Sequence, residues 1–395
     1  MATILLTWEL GGGLGHLINL LPLAEGLCRR GHRVFAAVKD LSRVDEVFAG
    51  IDASFLQAPV KVRKSGNRIE PLHTFAHILH NCGFGGQGEL LSMTQAWRNL
   101  YDYVRPDAIV FDHSPTALLA ARGINAKKTL VGTGFFCPLD EYPLPDLRPW
   151  MPAGAERLKG EEDRVLKNAN RTIESWHGPT LERLSQLYRD VDENFLLTFE
   201  ELDHYPGRAG AGYRGAWPNI DGKPPEWPEG EGQRIYAYLK PFPALSKLLQ
   251  LLAQSRHPTI ICCDGIDASL QEQHASATLH FENRPMDLAL LSRQCDLAIL
   301  NGNHGTTVSM LLAGKPTLQI PITLEQLMLS GTVARMGAGL RTPSTREDLL
   351  ADSLSAMLTD SQYAEAAGRF AQRYADYDPH RQVEIILDRI EELTH

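Results

Sequence analysis

The sequence predicts an α/β protein with two domains, each built on a parallel sheet. Two stretches support this prediction, because each has the pattern of an apolar strand, a glycine turn, a helix and a second strand. They cover residues 3–38 and residues 295–320. Such a unit joins two parallel strands of one sheet through a right-handed crossover. With 395 residues, the chain is also long enough for two domains with sizeable cores.

The composition narrows the classes of function. A net charge of −9 without a long lysine- or arginine-rich run argues against a nucleic-acid or anionic-membrane surface. No apolar run reaches the length of a membrane span, and the N-terminus lacks the basic region of a signal peptide. The six cysteines are scattered without metal-ligand spacing. We therefore expect a cytoplasmic protein with reduced thiols.

The stretch around residue 300 has the features of an anion-binding site. An apolar strand at 297–300 is followed by a polar turn and by a predicted helix over 306–313 that Gly314 ends. The first N–H groups of a helix have no partner within it, and together with the helix dipole they attract phosphate. Glu325 and Gln326 follow the next strand on the same edge of the sheet, where they are placed to bind hydroxyls of the group that carries the phosphate.

This stretch resembles the donor-site signature of glycosyltransferases with the GT-B fold, the group that includes the bacterial macrolide glycosyltransferases and the UDP-glycosyltransferases. The shared positions are Gly305-Thr306, Gly314-Lys315-Pro316, Pro321, Glu325-Gln326 and Gly337-Ala338-Gly339. The chain departs from the signature where Asn301 replaces a histidine, Asn303 a glycine and Ser309 a glutamate. Asn301 offers a phosphate a neutral amide donor in place of an imidazole, so we expect weaker binding of diphosphate nucleotides.

The resemblance implies two facing Rossmann-like domains with a cleft between them. We expect an acceptor-binding domain over residues 1–215, a domain that binds the nucleotide sugar over 216–378, and a last helix over 379–395 that crosses back to the first domain. Residues 206–233, rich in proline, glycine and charged residues, are predicted as the linker, and residues 155–188 as helix.

By the same resemblance, a nucleotide-diphosphate sugar is the co-substrate, and neither a further cofactor nor a metal is needed. The nucleobase is expected to face residues 283–286, where the tryptophan common in relatives is missing, so the sequence does not indicate the base. The predicted donor-binding residues are Gly13, Gly15, Lys240, Arg284, Met286, Asn301, Asn303, His304, Gly305, Thr306, Thr307, Glu325 and Gln326.

The glycine turn after the first strand leads to the predicted catalytic residue, His16. A dinucleotide-binding fingerprint needs a third glycine where His16 stands, which argues against NAD or FAD. His16 follows the carboxyl end of a strand, where open α/β sheets build their sites, and the helix start favours a neutral imidazole. Asp112, after the strand 108–111, matches the aspartate that orients this histidine in relatives. The plainer interpretation of His16 is a hydrogen-bonded turn residue, and that of Asp112 is a cap for a helix over 115–122.

The acceptor is expected to contact the first domain. His73, His77 and His80 share one face of a predicted helix, where they form either a metal site or, as we expect, a polar face of the acceptor cleft. The glycine-rich residues 83–86 are predicted as a mobile loop over that cleft. The predicted acceptor-binding residues are His80, Phe84, His113 and Phe135, and no metal ligand is predicted.

These inferences predict an inverting, metal-independent glycosyltransferase that moves a sugar to a hydroxyl of a small-molecule acceptor. His16, held by Asp112, removes the acceptor proton, and the helix start near residue 305 stabilises the leaving diphosphate. Two alternatives remain open at this point. One is a sugar-nucleotide epimerase of the same fold. The other is a non-catalytic binder of nucleotide sugars, which the departures at Asn301 and Asn303 suggest.

Overall fold

The computed structural model describes residues 1–63, 66–217 and 222–395. These residues divide into two compact units. The first unit consists of Met1–Phe199, Tyr205–Gly215 and His380–His395, and the second of Glu200–His204 and Ala216–Pro379. Residues 218–221 of the predicted linker lie outside the described part of the chain.

The first unit is built on a parallel sheet whose strands are apolar runs, most of them buried on both faces, as expected for a sheet covered by helices. The strands are Thr3–Trp8 (β1), Arg33–Val38 (β2), Ala53–Gln57 (β3), Ala108–Asp112 (β4), Lys127–Gly132 (β5), Glu193–Leu196 (β6) and Gly212–Tyr213 (β7). Their order in the sheet is β3-β2-β1-β4-β5-β6-β7. Because β7 pairs with β6, this part of the predicted linker belongs to the sheet.

The helices of the first unit connect these strands and pack on the sheet. They are Gly15–Arg29 (α1), Val44–Val47 (α2), Phe75–Leu79 (α3), Gln87–Val104 (α4), Pro115–Ala120 (α5), Ala155–Glu174 (α6) and Gln186–Arg189 (α7). The prediction of one helix over 155–188 is wrong between Glu174, where α6 ends, and Gln186, where the short α7 begins. His177 adopts a left-handed backbone there, and Gly178-Pro179 follows, which cannot continue a helix.

The second unit has the same kind of architecture. Its strands are Ile235–Leu239 (β8), Thr259–Cys263 (β9), Leu279–Phe281 (β10), Leu297–Leu300 (β11), Thr317–Gln319 (β12) and Gly339–Arg341 (β13). They pair in parallel in the order β10-β9-β8-β11-β12-β13. Its helices are Leu245–Ser255 (α8), Ala268–His274 (α9), Leu288–Gln294 (α10), His304–Leu312 (α11), Leu324–Arg335 (α12), Glu347–Thr359 (α13) and Gln362–Arg373 (α14).

The last helix, Pro379–Thr394 (α15), packs within the first unit. Its Leu387 lies against Gly26 of α1, where a side chain at position 26 would begin 2.3 Å from the leucine. Arg30, just after α1, pairs with the carboxylates of Glu384, Asp388 and Glu391. Among the described residues, no helix combines the length and the apolar character needed to cross a membrane.

Both sheets reverse their strand order at one point, between β1 and β4 in the first unit and between β8 and β11 in the second. Open α/β sheets bind ligands at the carboxyl ends of the strands beside such a point. The structure confirms the predicted α/β fold with parallel sheets. It also places the predicted catalytic residues of the first unit, and the polar turn of the second, at these reversal points.

Candidate functional site

The site of the first unit is built where β1 and β4 end side by side. Trp8 and Asp112 are register partners at the ends of these strands, and α1 begins at Gly15, so that His16 lies above Asp112. The Nδ1 atom of His16 lies 3.0 and 3.1 Å from the two carboxylate oxygens of Asp112. His16 is 7% exposed and Asp112 is fully buried. The two residues therefore form a hydrogen-bonded pair shielded from water.

This pairing determines the tautomer of His16. An ionised carboxylate only accepts hydrogen bonds, so the proton lies on Nδ1 and the lone pair on Nε2. The Nε2 atom faces Gly11, because a Cβ atom added at Gly11 would lie 2.3 Å from it. Gly11 has a φ of +84°, a left-handed conformation that glycine adopts readily. A side chain at position 11 would therefore collide with Nε2, so only glycine fits this close approach of the turn to the imidazole.

Aromatic rings enclose the imidazole of His16. The indole of Trp8 stacks on it, with ring centroids 5.2 Å apart and an interplanar angle of 20°. Phe136 lies 5.3 Å away in a tilted arrangement, and His113 lies 5.9 Å away. Rings on several sides lower the local dielectric constant, which strengthens the interaction between His16 and Asp112.

The second unit presents the start of α11 at the carboxyl end of β11. Asn303 precedes the helix with an extended backbone, and the left-handed residue of the turn is Gly302, with a φ of +87°. The N–H of Thr307 donates to the carbonyl of Asn303, so Thr307 is the first residue whose amide is used inside the helix. The N–H groups of the helical residues before it have no acceptor within the helix, which gives this end its anion-binding character.

The comparisons with known proteins agree with this architecture. No family model matches the chain. The PGL/p-HBAD biosynthesis rhamnosyltransferase of Mycobacterium bovis is 25% identical over 386 residues, which cover 91% of this chain and 82% of that protein. The spinosyn rhamnosyltransferase SpnG, solved in complex with spinosyn aglycone, matches with a TM-score of 0.70 and 16% identity over 98% of this chain and 100% of that one. The glycosyltransferase VinC, solved in complex with DTDP, matches with a TM-score of 0.69 and 17% identity over 98% and 99% of the two chains.

The chain is a glycosyltransferase with the GT-B fold. The solved structures support the fold, and the curated relative, aligned over most of both chains, supports the enzyme class. The predicted resemblance to macrolide-type glycosyltransferases is therefore confirmed.

Two polar residues of the glycosyltransferase's first site were not predicted. Glu9 is 1% exposed, and its carboxylate accepts hydrogen bonds from the backbone N–H groups of Thr116 and Ala117. Burial raises the pKa of Glu9 to about 7. The ammonium of Lys39, at the end of β2, donates to the carbonyl of Gly11. A charged residue directly after an apolar strand was the signal available in both cases, since that position lies at the site edge of a parallel sheet.

Two of the predicted acceptor-binding residues, His113 and Phe135, pack against other aromatic rings. The backbone of His113 is left-handed, and its ring stacks on Phe136 at a centroid distance of 4.0 Å. Both ring nitrogens of His113 are buried without a hydrogen-bond partner among the described residues, and burial holds its pKa well below the ordinary value. Phe135 is 5% exposed and packs edge-on against Phe75.

The structure corrects the prediction of a mobile loop at residues 83–86. His80–Phe84 form a kinked turn between α3 and α4, in which Gly83 has a φ of +123°, and Phe84 is fully buried. Its side chain therefore belongs to the core. The side-chain amide of Asn168 on α6 also donates to the backbone carbonyl of Phe84, which holds this segment in place. The side chain of His80 contacts the preceding loop, where its Nε2 lies 3.0 Å from the backbone carbonyl of Asn67.

The three histidines that share a predicted helical face have separate partners. Nδ1 of His73 lies 3.3 Å from Asp146, and Nε2 of His77 lies 2.9 Å from Glu161. His77 also accepts the backbone N–H of His73 through Nδ1, so both of its nitrogens are used. No group of three or more His, Cys, Asp or Glu residues suited to a metal ion occurs in the part of the chain that the structure describes.

The structure also corrects the role expected for Asn301. Its side chain is fully buried; Nδ2 donates to the carbonyl of Ile320 at 2.7 Å, and Oδ1 accepts the N–H of Lys240 at 2.6 Å. These bonds tie together the ends of β8, β11 and β12, so both polar groups of the amide are engaged within the protein. Thr307 is likewise turned inward, since its hydroxyl accepts from Gln319. Neither side chain is directed at a phosphate.

The other predicted donor residues of the second unit differ in their contacts and in their exposure to solvent. Gln326 is engaged in the cap of α12, where its Oε1 accepts the N–H groups of Ile322 and Thr323. Burial lowers the pKa of His304 to about 3, so its ring is uncharged. Residues that remain at least partly accessible are Lys240, Arg284, Asn303, His304, Gly305 and Glu325, while Met286 and Thr306 are buried. Gly13 and Gly15 lie exposed in the glycine turn of the first unit.

Proposed function

We propose that this glycosyltransferase moves a sugar from a nucleoside-diphosphate sugar to a hydroxyl of a small-molecule acceptor, with His16 as the general base and inversion at the anomeric carbon. The observation that carries the proposal is the buried contact between Nδ1 of His16 and Asp112, at 3.0 Å. It keeps the imidazole in the tautomer whose Nε2 accepts a proton, and it stabilises the imidazolium that forms.

The proposed reaction is a single displacement. Nε2 of His16 takes the proton of the acceptor hydroxyl, whose oxygen attacks the anomeric carbon of the donor. The bond between that carbon and the diphosphate oxygen breaks, and its electron pair leaves with the nucleoside diphosphate. Attack from the side opposite the leaving group inverts the anomeric configuration. The proton remains on His16 until solvent removes it, and the negative charge of Asp112 balances the positive charge of the imidazolium during that time.

The charge of the leaving diphosphate is proposed to be stabilised by the start of α11. The amide donors there are fixed before the reaction, so they need no reorganisation as charge develops. The left-handed Gly302 supports this role, because a side chain there would lie 2.9 Å from the carbonyl of Gln326 and would displace the turn. The proposal needs neither a metal ion nor a further cofactor, since backbone amides perform the task that a cation performs elsewhere.

For the donor, we propose a thymidine-diphosphate deoxysugar as the first candidate. The similar protein VinC was solved with DTDP. The relative from Mycobacterium bovis and the structurally similar SpnG are both named rhamnosyltransferases. For the acceptor, we propose an apolar aglycone that approaches His16, because the imidazole is packed among aromatic rings.

The test is an assay of the purified enzyme with dTDP- and UDP-sugars and a panel of aromatic and macrolide aglycones, each run with and without excess chelator. We expect a new glycoside whose anomeric configuration, read by NMR, is opposite to that of the donor, and we expect chelator to leave the rate unchanged. Retention of configuration, or loss of activity that one divalent ion restores, would overturn the mechanism. Epimerised donor without transfer, or binding without turnover, would replace the function itself.

A further inference from the structure

We propose that Trp8 is a positioning residue for His16, whose indole face fixes the plane of the imidazole and stabilises the imidazolium formed during transfer. The inference deepens the proposed function and rests on it, because it assigns Trp8 a task in the protonation of the proposed base.

The geometry fixes Trp8 as firmly as His16. Trp8 is the last residue of β1, it is 2% exposed, and its register partner across the sheet is Asp112. Its Nε1–H donates to the carbonyl of Leu10 at 2.6 Å, which prevents rotation of the indole. The imidazole of His16 is therefore held along one edge by Asp112 and over one face by Trp8, whose ring lies 5.2 Å away at 20°.

The chemistry of the two contacts is complementary. The face of an indole carries negative electrostatic potential, and it attracts a cation more strongly than the face of phenylalanine. A neutral imidazole gains little from that potential, whereas an imidazolium gains more. The stack consequently favours the protonated state, in which His16 has taken the acceptor proton. Because both rings are buried, water screens this attraction only weakly.

Other charged and titratable groups near His16 come from several elements. Asp112 ends β4, His113 follows it, Glu9 follows Trp8, and Lys39 at the end of β2 holds the Gly11 carbonyl. A substitution at Trp8 removes none of these groups, and the same titrations in a Glu9→Gln background exclude a contribution from Glu9, whose own pKa is about 7. A change in the titration of His16 in such a variant therefore reports the loss of the indole face.

The experiment compares Trp8→Leu and Trp8→Phe with Trp97→Leu, a matched control. Trp97 is a fully buried tryptophan of the same unit whose indole N–H donates to Thr116, and it interacts with the side chain of Glu9, which the Glu9→Gln background replaces by a neutral amide. The pKa of His16 is followed by the NMR signal of its Cε1 proton, assigned by its absence in His16→Gln. Turnover and the KM for the donor are measured beside it.

We expect Trp8→Leu to lower the pKa of His16 by roughly 0.5 to 1 unit and turnover by about 3- to 10-fold, with an unchanged KM for the donor. Trp8→Phe should lower the pKa less, because its ring retains part of the attraction. Trp97→Leu should reduce the melting temperature without moving the pKa of His16.

Equal pKa values of His16 in the native enzyme and in folded Trp8→Leu would overturn the inference. If Trp8→Leu does not fold, a native pKa and native turnover in Trp8→Phe would overturn it as well. Failure of the proposed function is distinguishable, because His16→Gln would then retain turnover. In that case the NMR titration would still show whether Trp8 stabilises the imidazolium, but a role in transfer would be excluded.

Discussion

Replacing Gly11 by alanine places a methyl group directly against the proposed base. The new Cβ atom would lie 2.3 Å from Nε2 of His16, 3.1 Å from its Cδ2 and 3.3 Å from its Cε1. Carbon and nitrogen atoms approach comfortably to about 3.5 Å, so the turn or the imidazole has to move by roughly 1 Å. The left-handed backbone, at a φ of +84°, adds about 1–2 kcal/mol of strain for any residue with a Cβ atom.

The expected result is a large loss of turnover. A displacement of about 1 Å at a reacting group costs on the order of 100-fold in rate. Movement of the imidazole would also lengthen the 3.0 Å contact with Asp112, and movement of the turn would pull on the carbonyl that Lys39 holds. We therefore expect Gly11→Ala to lower turnover by about 100-fold or more while nucleotide binding, measured by calorimetry, stays close to native.

Two glycines of the chain separate strain from contact. Gly12 has no neighbouring atom within 4 Å of an added Cβ and no left-handed backbone. Gly31, with a φ of +82°, shares the strain but also has no atom within 4 Å. Gly12→Ala should change neither turnover nor thermal unfolding appreciably. Gly31→Ala should lower the unfolding temperature but leave turnover unchanged. If Gly11→Ala turns over as fast as Gly31→Ala, the close approach of Gly11 to Nε2 has no catalytic importance, which would contradict the prediction.

Three further predictions concern buried polar residues. Asp112→Asn should lower turnover by about 10²–10⁴-fold in steady-state kinetics, because the amide does not hold the required tautomer; a larger effect on unfolding than on turnover would favour a capping role. Burial raises the pKa of Glu9 from 4.5 to about 7, so the stability that its protonated carboxyl contributes below pH 4.5 is lost as pH rises through 7. Urea unfolding at pH 5 and 8 should show Glu9→Gln losing up to about 3 kcal/mol less than the native protein over that range, and equal losses would contradict this. Asn301→Ala should cost about 1–3 kcal/mol in the same assay, because it removes the partner of the buried Ile320 carbonyl and of the partly buried Lys240 N–H; unchanged stability with weaker nucleotide binding would return Asn301 to the donor site.

The regular parts of the fold were predictable because their residues carry a strong pattern. Strands such as Thr3–Trp8 and Leu297–Leu300 are continuous apolar runs, since both faces of a helix-covered parallel sheet are buried. The glycine turns and helix starts that follow them are local features too. That His16 and Asp112 lie together could be expected from the rule that ligands bind at carboxyl ends of strands, together with the family resemblance.

The remaining features depend on where side chains point, which local sequence does not determine. Phe84 lies among glycines and resembles a loop residue, yet the kinked turn at Gly83 directs its ring into the core. Asn301 stands where relatives carry a histidine, yet its amide matches a carbonyl and an N–H from neighbouring strands. The stack of Trp8 on His16 joins residues from a strand end and a helix start, and only the folded path of the turn brings them into contact.

The most direct test of the account is the turnover of His16→Ala measured beside its affinity for the nucleoside diphosphate of the preferred donor. If Nε2 of His16 removes the acceptor proton, turnover falls by about 10²–10⁴-fold while calorimetry gives a native affinity, because the proposed site of the diphosphate is the start of α11 and not His16. Native turnover in a folded His16→Ala variant would contradict the central claim.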